Sequence, residues 1–372
     1  MIPLRCFLGI AIASNLGVEI PPTVTVQAAV REQARVGHLA RAAQMLAPRS
    51  AHTATLLRNG QVLIAGGMRR NQEFYSSAEL YDPVRDQFRP AGNMNIARVE
   101  PAAVLLRSGK VLIAGGWVSH NCTDSAELYD PSTGKFTATG RMTVPRGAPS
   151  ATLLPDGDVL IAGGAAGDDP GGVASAELFR AATNTFERVQ SMHVGRVSHT
   201  ATSLRDGRVL IAGGRGATVT AEAELYDPKT GRFTPTGSLR QARYKHTAGL
   251  LGDGRVLLAG GSNEHDWQGT LNSAEIFDPR TGKFALTAHL TESRFKLPEA
   301  ASVGSGCVLI AGGSKSAEVY DPRMGAFLIV PGELSKPWHF MTETRLADGT
   351  VLLAGGYAND DQGTRETWIY RQ

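Results

Sequence analysis

The string Val-Leu-Ile/Leu-Ala-Gly-Gly recurs seven times in 372 residues, with first glycines at Gly66, Gly115, Gly163, Gly213, Gly260, Gly312 and Gly355. The successive intervals are 49, 48, 50, 47, 52 and 43. A period near 50 marks a repeat architecture. It constrains the fold more than any other feature, because each unit must bury its apolar face on its neighbours. Length alone allows two or three domains, but here it counts seven units.

Each unit reads as four strands. Strand a is an apolar run such as His52-Thr53-Ala54-Thr55-Leu56-Leu57. A tight turn follows, with Asn59-Gly60, Asp156-Gly157, Asp206-Gly207, Asp253-Gly254 or Asp348-Gly349. These dipeptides predict type I′ hairpins, in which both central residues take positive φ. Strand b is Val-Leu-Ile-Ala-Gly-Gly. Strand c is Ser-Ala-Glu-Leu-Tyr, as in Ser77–Tyr81, closing on Asp82-Pro83. Strand d is headed by an aromatic residue: Phe88, Phe136, Phe186, Phe233, Phe284 and Phe327. The turn glycine precedes the glycine pair by six residues in all seven units, and the strand-c Glu precedes the Phe by nine in all six complete units. Only the b–c loop drifts: the step from the first glycine of the pair to Glu is longest in blade five, Gly260 to Glu275, and shortest in blade six, Gly312 to Glu318. A one-residue slip would flip a strand's faces, so strands hold register while loops absorb insertions.

Four antiparallel strands repeated radially predict an all-β, seven-bladed β-propeller. The Gly-Gly after a hydrophobic strand, the Tyr-Asp-Pro and the following aromatic resemble the kelch repeat, with Phe where that family carries Trp in strand d. The resemblance covers residues 37–372 and extends to bacterial kelch-type proteins of the galactose-oxidase-like propeller group. The blades fall at about 45–92, 93–140, 141–190, 191–237, 238–288, 289–332 and 333–372. The seventh unit stops after strand c, Thr367-Trp368-Ile369-Tyr370. Leu39 precedes Gly66 by the same interval as Phe136 precedes Gly163, which places it in the strand-d aromatic slot. Residues 37–44 are therefore expected to close the ring as the missing outer strand.

Residues 1–36 read as a leader: Arg5, then the apolar run Cys6–Ala13, then a late small-residue site at Val26-Gln27-Ala28. This is the order of a secretory signal and predicts export to a periplasmic or extracellular space. Lys+Arg 38 against Asp+Glu 35 gives a net charge of +3, too weak a balance for a nucleic-acid partner. No apolar run reaches the roughly 18 residues of a membrane span. Cys6, Cys122 and Cys307 share no ligand spacing. Of 43 glycines, 14 lie in the glycine pairs and seven in the a–b turns, so the excess is positional.

Strand a starts and strand b ends on one face of the ring. The b–c and d–a loops therefore share that face, where function is expected. Arg49, Arg98, Arg146, Arg196 and Arg243 all precede their glycine pairs by one fixed interval, that from Arg49 to Gly66; Arg294 is one out of step, and Trp338 takes the place in blade seven. Guanidiniums near a central mouth would bind carboxylates or phosphates. The competing structural role is pairing with the strand-c Glu to fasten the repeats, which the regularity favours. His52, His199 and His246 share another fixed position, held elsewhere by Pro101, Pro149, Pro298 and Met341, and they raise a metal site. No carboxylate or thiolate pattern accompanies them, so no metal and no cofactor are assigned. Asp124, Asp168, Asp169, Asp360 and Asp361 read as solvated turn residues rather than Ca²⁺ ligands.

The symmetry breaks in blades five to seven. A long b–c loop carries His265 and Trp267, the next b–c loop is nearly absent, and the d–a segments carry Arg294-Phe295-Lys296 and Lys336-Pro337-Trp338-His339-Phe340. This predicts a notch lined by Trp267, His265, Lys296, Trp338 and His339 that suits an acidic sugar or another anionic small ligand. The leading reading is a monomeric, non-catalytic scaffold for a protein, glycan or anionic ligand. The resemblance also admits enzymes, a sialic-acid epimerase or a copper oxidase. An epimerase would need an acid/base pair from Glu100, Glu299 and His339, and no tyrosine can be assigned to an oxidase crosslink.

Overall fold

The computed structural model describes residues 36–167, 171–264, 266–358 and 362–372. The described chain forms seven four-stranded antiparallel sheets, one per repeat, in an all-β seven-bladed propeller. Blade two is Ala102–Leu105, Val111–Ala114, Ala126–Asp130 and Lys135–Ala138, in spatial order a-b-c-d. Its b–c loop adds a short hairpin, Trp117–Val118 with Asn121–Cys122. Successive a strands neighbour one another around the axis. Among the described residues no helix is long and apolar enough to cross a membrane.

The core lies between blades, which explains why strand b is apolar on both faces. Strand alternation sends Leu112 and Ala114 to one side and Val111 and Ile113 to the other. The first pair packs with Val159, Ile161 and Phe179 of blade three. The second packs with Leu63, Ala65 and Leu80 of blade one. All four residues are 0–1% exposed. The strand-d aromatics cover this core from outside. Each pairs with the strand-c Tyr or Phe at centroid distances of 4.8–5.1 Å, as in Tyr129–Phe136 and Phe179–Phe186.

The ring closes through its N-terminal strand. His38–Arg41 pairs antiparallel with Thr367–Arg371, and Leu39 stands opposite Tyr370. That is the register of Phe136 opposite Tyr129. Tyr370 donates its hydroxyl to the Val36 carbonyl at 2.9 Å.

The glycine pairs mark where blades touch. Both glycines of all seven pairs have positive φ. A Cβ on Gly115 would stand 2.5 Å from the Arg146 carbonyl oxygen of the next blade. The second glycine donates to that same carbonyl: Gly116 to Arg146 at 2.8 Å, and around the ring to Gly356 on Arg49 at 3.0 Å.

Two sequence expectations are corrected. The Asn-Gly and Asp-Gly a–b turns are not type I′. Gly60 has φ +82°, but Asn59 does not take positive φ. The Gly60 amide donates to Leu57, the Leu57 amide donates to Gln61, and Asn59 Oδ1 accepts from the Gln61 amide at 3.1 Å. This is a type I turn followed by a left-handed glycine bulge; the Asn or Asp is chosen for its side-chain acceptor rather than for positive φ. In blade six, the His-equivalent position is Leu297, not Pro298. Leu297 Cδ1 approaches Gly260 as His246 Cε1 approaches Gly213, so the inserted residue is Pro298, after this position.

Candidate functional site at the axial mouth

The six arginines are structural. Each is 0–1% exposed, and each pairs with the strand-c Glu of its own repeat: Arg49–Glu79, Arg98–Glu127, Arg146–Glu177, Arg196–Glu224, Arg243–Glu275 and Arg294–Glu318, at 2.5–3.1 Å. Nη1 also donates to the first glycine's carbonyl, as from Arg146 to Gly163 at 2.8 Å. The Glu accepts backbone amides of the incoming linker, as from Thr143 to Glu177 at 2.8 Å. One residue thus holds the preceding blade by its carbonyl and its own blade by its side chain. Blade seven replaces both members. Trp338 takes the Arg position, and Trp368, opposite Leu353, takes the Glu position. Both are buried in one apolar cluster.

The histidines also fasten blades. His52 Nε2 lies 3.1 Å from Thr342 Oγ1, His199 Nε2 lies 3.0 Å from Ser150 Oγ, and His246 Nε2 lies 3.1 Å from Thr200 Oγ1, each hydroxyl belonging to the preceding blade. Burial, then the neighbouring arginine, holds His52 and His199 down at about 3 and His246 well below its ordinary value. All three are neutral at neutral pH.

Between the arginine and histidine positions lies a position that the sequence reading passed over. Ala51, Glu100, Ala148, Ser198, Lys245, Lys296 and Phe340 occupy it, one per blade, and all seven have φ between 48° and 56°. The left-handed backbone turns the chain from the linker into strand a. A belt of hydrogen bonds runs from blade to blade here: Glu100 N to Ala51 O, Ala148 N to Glu100 O, Lys245 N to Ser198 O, Phe340 N to Lys296 O and Ala51 N to Phe340 O. The seven residues line the entrance of an axial cavity of about 360 Å³ that draws wall residues from every blade.

The mouth is cationic and aromatic on one side. Lys296 is buried and donates to the Tyr357 hydroxyl at 2.9 Å. Its ammonium lies 4.9 Å from the Phe295 centroid, 5.6 Å from Tyr357 and 5.8 Å from Phe340. Lys245 Nζ lies 5.1 Å from the Tyr244 ring and 5.9 Å from the same Phe340 ring. Such contacts hold an ammonium partly desolvated. Across the mouth, Glu100 accepts from the Trp117 indole at 3.2 Å. Burial pushes its carboxyl up, against the pull of Lys245, the indole and Lys296. Deeper in the cavity stand Glu299 and Glu343. Glu343 accepts the Ala311 amide at 2.7 Å and the Ala301 amide at 3.2 Å, and burial raises it to about 8.

The predicted notch is not lined as expected. Trp338 lies in the core, and its indole donates to Ser335 Oγ at 3.2 Å. His339 is buried between Phe295 and Tyr357, at centroid distances of 5.5 and 5.9 Å, with Nδ1 3.3 Å from the Phe295 carbonyl. It stands behind the mouth, whereas Glu100 and Glu299 face the cavity. Lys296 joins the axial mouth. His265 lies outside the described residues, as do Asp168, Asp169, Asp360 and Asp361. The backbone at Trp267 lies in a 3₁₀ turn, Asp266–Gly269. Asp124 is paired with Arg141.

A family model described as the Kelch motif matches residues 49–95 and 101–143. None of the curated proteins matches this sequence. Among solved structures, the chain is similar to a fungal alcohol oxidase of the AA5 family in complex with copper: 18% identity, TM-score 0.73, covering 90% of this chain and 76% of that one. At that identity the likeness concerns the fold. The present residues do not fit a copper centre. The three channel histidines turn Nε2 to neighbouring hydroxyls, two ammoniums hold the mouth, and among the described residues no three His, Cys, Asp or Glu side chains converge as metal ligands. Two repeats match the family model directly, and the others share their motif, register and buried arginine–glutamate fastening or its tryptophan substitute: the chain is a kelch-repeat β-propeller.

Proposed function

We propose that this propeller is a non-catalytic binding scaffold whose axial mouth receives a small anionic ligand. One observation carries the reading. Of seven equivalent mouth positions, two adjacent ones are lysines whose ammoniums share the Phe340 ring. The other positions hold Ala, Ser, Glu and Phe, so the charge is local rather than a repeat consensus. A carboxylate entering there meets two partly desolvated cations and an aromatic wall, in a cavity at the lower end of small-molecule sites, roughly 300–1,000 Å³. Export, as read from residues 1–36, belongs to the same proposal.

The test is a calorimetric and thermal-shift screen of sugar acids and simple carboxylates. Binding should be saturable and should weaken at least tenfold in Lys245→Met/Lys296→Met. A wild-type protein that binds no carboxylate, or a double variant that binds as well as wild type, overturns the reading.

A further inference from the structure

Below the lysines, the cavity wall of blade six carries a carboxylate where the other repeats carry small residues. The shortened strand Ala301–Ser302 pairs Ala301 with Leu309, which puts Glu299 in the position of Thr53, Ala102, Ser150, Thr200, Thr247 and Thr342. Glu299 is reached by solvent yet walled by protein. It has no hydrogen-bond or ion-pair partner among the described residues. The enclosing wall raises its carboxyl above the ordinary value, although the side chain is exposed to the water of the channel.

Resting on the reading of the mouth as an anion site, we infer that the ligand is dipolar: a small amino acid whose carboxylate meets Lys245 and Lys296 and whose ammonium descends to Glu299. Lys245 and Lys296 stand at the mouth, and Glu299 stands on the wall of the same cavity below them. A ligand oriented head-up sets its carboxylate at the ammoniums and its amine at the unpartnered carboxylate below. The spacing sets the ligand's size. Two residues separate Lys296 from Glu299, a Cα span of at most roughly 11 Å, and both residues line the cavity. A short linear spacer between carboxylate and amine fits that interval.

The test is calorimetry on the full chain with the series 3-aminopropanoate to 6-aminohexanoate, alongside carboxylates of matching length without the amine. One aminoalkanoate should bind at least about tenfold more tightly than its amine-free counterpart, as expected for a charge-assisted bond. Glu299→Gln, and independently Glu299→Thr, which restores the residue of other blades, should bring the two within about twofold of each other. Their thermal midpoints serve as the fold control. If carboxylates bind but the amine makes no difference, or if the difference survives both substitutions, the dipolar ligand is refuted while the mouth remains an anion site. If neither series binds, the mouth reading falls and takes this proposal with it.

Discussion

The buried Arg146–Glu177 pair offers the sharpest test of how the ring is held. Both side chains are 0% exposed. The guanidinium donates to Gly163 O at 2.8 Å, Ser175 O at 2.8 Å, Ser175 Oγ at 2.9 Å and Glu177 at 3.0 Å. Removing one partner strands the other's charge without water, a loss of about 3–5 kcal/mol. Arg146→Met and Glu177→Leu should each destabilise by that amount. Replacing both leaves no stranded charge. What remains is the set of backbone groups they satisfied, roughly 1–3 kcal/mol for each group left unmet. The double variant should therefore lose little more than the worse single one, with a coupling energy of at least about 2 kcal/mol. Blade seven makes the same exchange naturally, with Trp338 and Trp368 in the two positions and both buried. Urea unfolding of the four proteins in one thermodynamic cycle measures the coupling. If the double loss equals the sum of the singles, or either single loses under about 1 kcal/mol, the pair is not the fastening described.

Three further outcomes follow from the same geometry. Deleting residues 36–43 removes the strand whose Leu39 pairs with Tyr370 and should lower the thermal midpoint of the whole ring; unchanged melting would contradict closure by that strand. Gly115→Ala, with φ +68° and a Cβ 2.5 Å from the Arg146 carbonyl, should destabilise well beyond Gly60→Ala, where φ is +82° but nothing stands within 4 Å; the second should show only a left-handed backbone cost of about 1–2 kcal/mol, and equal losses would show that blades do not touch at the pair. Stability should also fall with acid, because the channel histidines have depressed values in the fold and the unfolded chain takes up protons first. Their contribution is complete above about 6.5 and is lost as pH falls toward about 3, with a slope of up to about 1.4 kcal/mol per pH unit for each histidine. His246→Leu, the residue type blade six carries at Leu297, should shed one histidine's share of that slope, and an undiminished slope would refute the assignment.

Most of the scaffold is legible in the sequence because its constraints repeat. A glycine needed for positive φ and close approach recurs at every blade, and Leu39 can be placed in the outer strand by distance alone. The arginine–glutamate fastening is legible for a related reason: six repeats carry both residues, and the seventh lacks both. The turn type is not legible, because Asn-Gly and Asp-Gly fit two hairpin geometries and only the backbone angles decide between them. Trp338 reads as a surface residue because nothing in the sequence marks its partner, Trp368, as the replacement for Glu. Two tryptophans satisfy a position that elsewhere needs an ion pair, and single-residue reading cannot see a paired exchange.

The axial mouth escapes notice for a more instructive reason. Its seven positions share a backbone conformation but no residue type, so a search for consensus passes over them. Yet they lie between an arginine position constant in six blades and a strand position restricted to His, Pro, Leu and Met. Variation confined between fixed neighbours is what a rigid ring produces when the backbone must be identical and the side chain faces an open axis. In this fold the invariant positions carry stability, and the variable side chain at a fixed left-handed residue is the one we propose meets a ligand. On that proposal Lys245, Lys296 and Glu100 are better guides to a ligand than any of the six conspicuous arginines, whose charge is already paired inside the blades.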